Sequence, residues 1–387
     1  YKFLREMEFN RLLSSAISAY GEPILEKTQI NLKINENQKK IDNKNYHLIT
    51  DSKEIDNWIK EAEEKGEVAV DTETSSLDPH QADLIGVSLS SKVGKACYIP
   101  IGHNSGRCIN KDIVLKKLKP LLEDPSIKKI GQNIKFDFIV FFKHGINISS
   151  MEDTMLMSYV LDAGKNRHNM DTLSEIHLNH KTISFKDLVG SGKKEINFSE
   201  VDIEKAKNYA AEDADVTLRL YKKFYKSLRD EKMVNIYEVF EKPIIKILAF
   251  MEIEGINFDN KFLKILSSQF EKKIEKIQKE VFKTSKKEFN IASPKQLGEI
   301  LYNDLKIADL KKTKKGSFAT SASVLEDLAF KGHKFPQLVL DWRQVSKLKN
   351  TYSDSLPEHI NPQTKRVHTS FLLAATTTGR LASSDPN

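Results

Sequence analysis

The spacing of hydrophobic and polar residues changes several times along the chain and divides it into segments. Apolar residues from Phe3 to Leu13 have helical spacing, and Gly21 ends that pattern. Residues 31–45 are almost wholly polar, which predicts a linker. Over residues 46–228 short apolar runs alternate with helical patterns, so an α/β domain is predicted there. After residue 228 the helical period dominates.

Individual elements follow from the same pattern. Strands are predicted at 68–70, 84–89, 96–100 and 128–130. Helices are predicted at 113–122, from 137 to 143, and at 201–228, 237–253, 262–281, 323–330 and 337–350, with one more starting at 294. Residues 311–316 predict a basic loop between helices.

Composition excludes several classes of protein. The chain has 387 residues, 39% of them hydrophobic and 30% charged, which fits two or three globular domains and neither a membrane nor a disordered protein. No uninterrupted apolar stretch reaches the roughly 18 residues of a spanning helix, so a cytoplasmic protein is expected. Two cysteines are too few for a disulfide framework. Because the chain starts at Tyr1 and ends in Ser-Ser-Asp-Pro-Asn, we expect a piece of a longer protein.

The net charge of +7 is unevenly distributed. Residues 1–228 carry 34 basic and 34 acidic side chains, whereas residues 229–387 carry 27 and 20. Lys and Arg provide the sequence-independent part of nucleic-acid affinity by neutralising phosphates. The C-terminal part is therefore a candidate polyanion-binding region, although lysine-rich helices that are merely well solvated have the same composition.

Four acidic residues are candidates for a metal site. Asp71 and Glu73 follow an apolar strand two residues apart, so both side chains face the same way. Asp137 lies at the predicted start of a helix, where the helix dipole alone also favours an acid. Asp213 lies within a helix. Oxygen ligands without a convergent His or Cys are the set that a pair of Mg²⁺ or Mn²⁺ ions prefers.

Tyr209 precedes Asp213 by four residues, so the two side chains share a helix face. The phenol can orient a water molecule by hydrogen bonding and is not expected to act as a strong base. Glu212 and Asp215 point elsewhere on that helix and are expected to be solvated.

Several motifs resemble known families. VDTETSSLD, GQNIKFDFIV, MEDTMLMSYVLD and YAAEDADVTLRLY resemble the motifs of the DEDD 3′–5′ exonucleases, in the subclass with a tyrosine in the last motif. NRHNMDTL, KTISFKDLVG and RVHTSFLLAATTTGRLASSDPN resemble, in the same order, the large (Klenow-type) fragment of the bacterial DNA polymerase I family.

The resemblance implies a domain organisation. Residues 1–45 would be the tail of a 5′ nuclease region and a linker, and 46–228 an α/β, ribonuclease H-like 3′–5′ exonuclease domain with a mixed central sheet. Residues 229–365 would be a mostly helical thumb, and 366–387 the start of the polymerase palm. The motifs for polymerisation would follow Asn387, so polymerase activity is expected only of a longer parent chain.

The resemblance also implies roles for the acidic residues. Asp71, Glu73 and Asp213 would bind the tighter of two divalent metal ions. Asp71 and Asp137 would serve the second ion, Asp137 partly through water. Mg²⁺ is expected, with Mn²⁺ or Zn²⁺ as alternatives, and Tyr209 would complete the catalytic set.

DNA contacts are implied at further positions. Leu77 and Phe185 would wedge against or stack on the terminal bases of a frayed 3′ end, a sequence-tolerant way to hold a single strand; ordinary core packing is the alternative for both. Gln132, Asn133 and Arg167 would contact the terminal nucleotides. Phe136 departs from the family, which often has Tyr there, so one substrate contact is in doubt.

The thumb and palm segments would contact the primer-template duplex. Arg380 would read the primer minor groove, and the remaining candidates are Lys311, Lys312, Lys314, Lys315, Lys347, Lys349, Asn350 and Thr351.

Together these patterns predict a proofreading exonuclease that releases 5′-mononucleotides from single-stranded or frayed DNA 3′ ends. The expected protein is a monomer of the bacterial cytoplasm, associated with the nucleoid, with DNA as its partner and no membrane contact. Two alternatives stay open: a catalytically inert DNA-binding scaffold of the same fold, and a ribonuclease of the same superfamily.

Overall fold

The computed structural model describes residues 1, 3–4, 7, 9–21, 41, 43–192, 195–307 and 318–387. The chain divides into two compact units, Tyr1–Ile41 and Asp42–Asn387. The predicted linker at 31–45 and the basic loop at 311–316 fall mainly or wholly outside the described residues.

The first unit contains the helix Asn10–Tyr20, which ends at Gly21 with φ 80°. Phe3 and Phe9 meet edge to face at a centroid distance of 6.2 Å. The predicted end of this helix at Gly21 is confirmed, but the helix begins at Asn10, after Phe3 and Met7 of the predicted pattern.

The second unit is built on a six-stranded mixed sheet. The strands are β1 Tyr46–Leu48, β2 Glu67–Thr74, β3 Leu84–Lys92, β4 Lys95–Pro100, β5 Lys128–Gly131 and β6 Met151–Asp153. Their order in the sheet is β1-β4-β3-β2-β5-β6. Strand β3 pairs antiparallel with β2 and β4, and the other pairs, β1 with β4, β2 with β5 and β5 with β6, are parallel. The predicted strands are confirmed, and β1 and β6 are additional.

Helices connect and cover these strands. The α-helices up to residue 230 are Ser52–Lys65, Lys111–Glu123, Ile134–Lys143, Thr154–Asp162, Met170–Leu178, Phe185–Val189 and Ile203–Asp230. This arrangement confirms the α/β class and the mixed, ribonuclease H-like sheet.

The Ile203–Asp230 helix lies directly against the sheet. Its alanines Ala206, Ala210, Ala211 and Ala214 are fully buried, and so small a side chain lets the helix backbone approach the strands closely. Asp202 caps its N-terminus by accepting a hydrogen bond from the Lys205 N–H at 3.1 Å. The close approach brings Asp213 over strand β2.

The C-terminal part is mostly helical and has a hydrophobic core of its own. Its α-helices are Val234–Ile236, Lys242–Glu254, Asn260–Ser285, Pro294–Gly298, Ala322–Phe330 and Lys334–Leu348, with π-helical turns at Tyr237–Glu241, Glu299–Asp304 and Lys349–Asp354. Val281, Leu301, Leu325, Phe335 and Val339 are among the residues of this core. A two-stranded ribbon, β7 Ser370–Leu372 with β8 Ala382–Ser384, follows near the C-terminus.

The Lys242–Glu254 helix packs against the Ile134–Lys143 helix. Phe250 meets Phe138 edge to face at 5.6 Å, and Lys135 forms an ion pair with Glu252 in which both side chains are almost fully buried. Lys135 also donates to the carbonyl oxygen of Phe371 at 2.7 Å. The start of the helical region is therefore firmly joined to the helix that carries Asp137.

Across the described ranges, no helix is both long and apolar enough to cross a membrane.

Candidate active site

Three carboxylates meet on strand β2 and the helix above it. Oxygens of Asp71, Glu73 and Asp213 lie within 4.8 Å of one another. Glu73 and Asp213 are buried, with 6% and 4% of their surfaces exposed, and Asp71 is partly exposed. The structure thus brings together the three residues expected to bind the tighter ion.

Strand β2 positions the first two acids. Val68, Ala69 and Val70 are buried at the centre of the sheet and fix the strand's register, so Asp71 and Glu73 project from the same face. Strand β5 pairs with β2 only as far as Ala69. Beyond Ala69, β2 instead contacts the Ile134–Lys143 helix, which follows β5.

Asp137, on that helix, lies beside the cluster and not within it. Its Oδ1 accepts hydrogen bonds from the Thr72 N–H at 2.9 Å and from the Thr72 hydroxyl at 2.6 Å. Thr72 separates Asp71 from Glu73, so Asp137 is held next to both acids while one of its oxygens is already engaged. That Asp137 reaches an ion partly through water stays a prediction.

Burial and mutual repulsion make the charged forms of these carboxylates unfavourable. Burial raises the pKa of Asp71 to about 7. Burial also raises the pKa of Glu73, and the neighbouring charges of Asp71, Asp213 and Asp137 raise it further. The pKa values of Asp213 and Asp137 are raised for the same two reasons, burial first and then the charge of Asp71. Acids this close repel one another unless they share protons or a cation.

A divalent cation fits these residues. Oε1 of Glu73 is buried and has no hydrogen-bond partner among the residues that the structure describes, which is costly for a carboxylate oxygen. A cation bound there would supply the missing partner and remove the repulsion, and oxygen ligands suit Mg²⁺ and Mn²⁺.

Tyr209 lies one helical turn before Asp213, at the edge of the cluster. Burial raises the pKa of its phenol, and the charges of Asp213, Glu73 and Asp71 raise it further. The hydroxyl therefore stays protonated at neutral pH and can donate a hydrogen bond. It is unsuited to act as a base.

Comparisons with known proteins bear on both parts of the chain. Residues 46–229 match the 3′–5′ exonuclease family and residues 260–387 match DNA polymerase family A. The chain is 45% identical over 367 residues to a DNA polymerase I of Rhizobium leguminosarum, with 89% of this chain and 36% of that protein covered. The chain therefore combines a segment that matches the 3′–5′ exonuclease family with a second segment that matches DNA polymerase family A.

A second relative has the same extent. A DNA polymerase I of Pseudomonas aeruginosa is 42% identical over 349 residues, covering 88% of this chain and 38% of that protein. The chain therefore spans little more than a third of the length of these curated relatives.

The fold has a solved counterpart. The POL domain of Pol1 from M. smegmatis, in complex with DNA primer-template and dNTP, matches with a TM-score of 0.74 and 24% identity. The match covers 88% of this chain and 55% of that one. At this identity the likeness concerns the fold alone.

The two apolar residues expected at the 3′ end are both at the surface. Leu77 is 92% exposed in the loop after β2, and Phe185 is 41% exposed at the start of its short helix. The Phe185 ring is parallel to that of Phe198, 6.2 Å away, and lies 6.0 Å from Tyr209. Core packing was the alternative for both residues, and the exposure of Leu77 excludes it for that residue.

The polar residues expected to contact the terminal nucleotides differ in their exposure and in their hydrogen bonds within the protein. Gln132 donates to the His168 carbonyl at 2.7 Å and accepts from the Thr154 hydroxyl at 2.5 Å, so its side chain is engaged within the protein. Asn133 has a left-handed backbone, φ 62°, just before the Asp137 helix. Arg167 is exposed in a loop.

Among the duplex-binding candidates, Lys347, Asn350, Thr351 and Arg380 are exposed. Lys349 instead forms ion pairs with Glu271 at 2.8 Å and Asp354 at 2.7 Å. Lys311, Lys312, Lys314 and Lys315 lie outside the described residues.

Two acids of the Asp213 helix were misjudged from sequence. Glu212 and Asp215 were expected to be solvated, and this is wrong: they are 7% and 0% exposed. Asp215 accepts hydrogen bonds from the Tyr46 hydroxyl at 2.9 Å and the Gly94 N–H at 2.7 Å, and pairs with Arg219. Every residue of this helix from 210 to 218 is buried, although both ends of the helix have exposed residues. The helical pattern alone does not reveal which other segments cover the middle of the helix.

Proposed function

We propose that residues 46–228 are a two-metal-ion 3′–5′ exodeoxyribonuclease that removes 5′-mononucleotides from single-stranded or frayed DNA 3′ ends. The observation that carries this proposal is the largely buried cluster of Asp71, Glu73 and Asp213, in which one oxygen of Glu73 has no hydrogen-bond partner within the described part of the chain. The match of this segment to the 3′–5′ exonuclease family supports the reaction class.

Each acid has a position in this mechanism. Asp71, Glu73 and Asp213 would hold one divalent ion, and Asp71 with Asp137 the other. Such ions, when bound, lower the pKa of a water molecule and stabilise charge on the leaving oxygen of a phosphodiester. Mg²⁺ is the proposed ion, with Mn²⁺ or Zn²⁺ as substitutes.

The remaining groups bind and orient the strand. Tyr209, protonated because its pKa is raised, orients the attacking water by hydrogen bonding. Phe185 stacks on a terminal base and Leu77 separates the last base pair, since both present apolar surface to solvent. Arg167 offers a positive charge to the backbone, and Gln132 and Asn133 shape the turn that faces the terminal nucleotides.

We further propose the division into a tail and linker at 1–45, a thumb at 229–365 and the start of a palm at 366–387. The thumb binds duplex DNA through exposed groups such as Lys347, Asn350 and Thr351, and Arg380 contacts the primer. These contacts position DNA and do not specify sequence. Within a full-length parent, the region would proofread for a DNA-directed DNA polymerase in replication and repair.

The test compares a 3′-labelled single-stranded DNA with an RNA of the same sequence. We expect labelled 5′-mononucleotide from the DNA in Mg²⁺ or Mn²⁺ and none after chelation by EDTA. Faster release from RNA would identify a ribonuclease. Tight duplex binding without hydrolysis in either metal would identify an inert scaffold.

A further inference from the structure

Glu212 is a buried carboxylate next to the cluster of Asp71, Glu73 and Asp213, and its side chain points away from that cluster. Glu212 precedes Asp213 on the same helix, and consecutive helical side chains point about 100° apart. Its Oε1 lies 2.8 Å from Nε2 of His180, and its Oε2 accepts a hydrogen bond from the Ile183 N–H at 2.6 Å. Both oxygens are thus used to hold one short segment, residues 180–183.

That segment leads directly into Phe185. The side chain of His180 is 14% exposed and that of Glu212 9%, so their contact is shielded from solvent. A buried carboxylate without partners is strongly unfavourable, and the two contacts compensate for its burial. They also fix the distance between the Asp213 helix and the chain that leads into Phe185.

The other ties of this segment lead elsewhere. Ser174 donates from its hydroxyl to the His180 carbonyl at 2.9 Å, and Thr182 donates to Asp171 at 2.7 Å. Ser174 and Asp171 both belong to the Met170–Leu178 helix. Among these hydrogen bonds, those to Glu212 are the ones that reach the helix bearing the metal ligand.

We propose that Glu212 is a positioning residue, which through His180 and Ile183 holds the Phe185 ring in register with Asp213 and Tyr209. The inference rests on the proposed exonuclease function and on Phe185 as its base-stacking group. One helix then sets three positions: the metal ligand, the water-orienting phenol and, through Glu212, the ring on which the terminal base stacks. This helix would then help to set the distance between the stacked base and the hydrolysed phosphate.

The test is a steady-state comparison of His180→Leu, which removes the contact and keeps the Glu212 charge, with His180→Gln, whose amide can still donate to Glu212. On single-stranded DNA we expect KM to rise about five- to tenfold for His180→Leu, the range of one weakened base stack, with kcat within about twofold of wild type. His180→Gln should restore most of the affinity. Glu212→Gln, nearly identical in shape, should also raise KM. If His180→Leu does not fold, an unchanged KM in Glu212→Gln overturns the positioning role.

Two controls separate positioning from general damage. Glu204→Gln makes the same chemical change at an exposed position of the same helix, and both constants should equal those of wild type. On a strand whose two terminal nucleotides lack bases, wild type and His180→Leu should share one KM, because no base remains to stack. Combining His180→Leu with Phe185→Ala should add nothing to the effect of Phe185→Ala.

Contrary results have distinct meanings. An inactive wild-type protein would contradict the proposed function itself. With an active wild type, the positioning role is overturned by an unchanged KM in His180→Leu, by a loss confined to kcat, or by an equal rise of KM on the strand without terminal bases.

Discussion

Thr72 donates two hydrogen bonds to the same oxygen of Asp137, one from its backbone N–H at 2.9 Å and one from its hydroxyl at 2.6 Å. The residue between two metal-ligand candidates therefore orients a third acid from another element. These hydrogen bonds link strand β2 to the Ile134–Lys143 helix. They lie just beyond Ala69, the last residue of β2 that pairs with strand β5.

The Thr72 hydroxyl is expected to matter for catalysis. Thr72→Val keeps the shape and the backbone bond but removes the hydroxyl donor, and a hydrogen bond to a charged group contributes about 1.5–3 kcal/mol. For the hydrolysis of single-stranded DNA at saturating Mg²⁺, we expect kcat to fall about tenfold. Thr72→Ser should stay near wild type. Equal rates for Thr72→Val and wild type would show that Asp137 needs no such orientation.

The raised pKa values predict an unusual pH dependence of stability without metal. The folded protein holds a proton on Asp71 up to a pKa of about 7, whereas the unfolded chain releases it near the ordinary value of 3.8. Since the folded state binds more protons in this range, its free energy of unfolding falls as pH rises from about 4 to about 7. In EDTA, Tm should therefore be lower at pH 8 than at pH 6.

Two additions check the cause of that pH effect. Mg²⁺ or Mn²⁺ should raise Tm most at pH 8, where the cluster carries most charge. Asp71→Asn should flatten the pH dependence by removing one of the repelling carboxylates. A wild-type Tm that is unchanged or rises from pH 6 to pH 8 in EDTA would contradict the electrostatic account of the cluster.

The cluster of Asp71, Glu73 and Asp213 was largely predictable from the sequence, and its surroundings were not. Asp71 and Glu73 share a face because strands alternate, and Asp213 lies on a long amphipathic helix, so local periodicity and motif resemblance sufficed. The pairing of Thr72 with Asp137 depends on where β5 stops pairing with β2, which is a tertiary property. Glu212 was misjudged because its partners His180 and Ile183 are about thirty residues away in sequence.

Two neighbouring lysines in the helical region are expected to differ. Lys347 is exposed, whereas Lys349 pairs with Glu271 and Asp354, whose hydrogen bonds raise its pKa. Lys347→Met should weaken duplex binding and lower the slope of log K against log salt by about 1, with Tm unchanged. Lys349→Met should instead lower Tm slightly and affect the salt slope less. A larger salt-slope change in Lys349→Met would mean that its ion pairs open to bind DNA.

Leu77 is expected to act on paired ends. Because its side chain is 92% exposed, Leu77→Ala should change the free energy of unfolding by no more than about 0.5 kcal/mol. Hydrolysis at the end of a duplex should slow severalfold, while hydrolysis of a single strand should change little. Val93→Ala, at a partly exposed residue of another turn, is the control. Equal slowing on both substrates would contradict a wedge.

The proposed function depends on Asp71, Glu73 and Asp213 binding the metal ions that catalyse hydrolysis of DNA 3′ ends. The most direct measurement is Mn²⁺-dependent release of labelled 5′-mononucleotide from a 3′-labelled single strand by wild type, Asp213→Asn and Asp230→Asn. Asp230 is an exposed acid at the end of the same helix and serves as the matched control. We predict a loss of at least about a hundredfold for Asp213→Asn and none for Asp230→Asn. Unchanged release by Asp213→Asn would contradict the account.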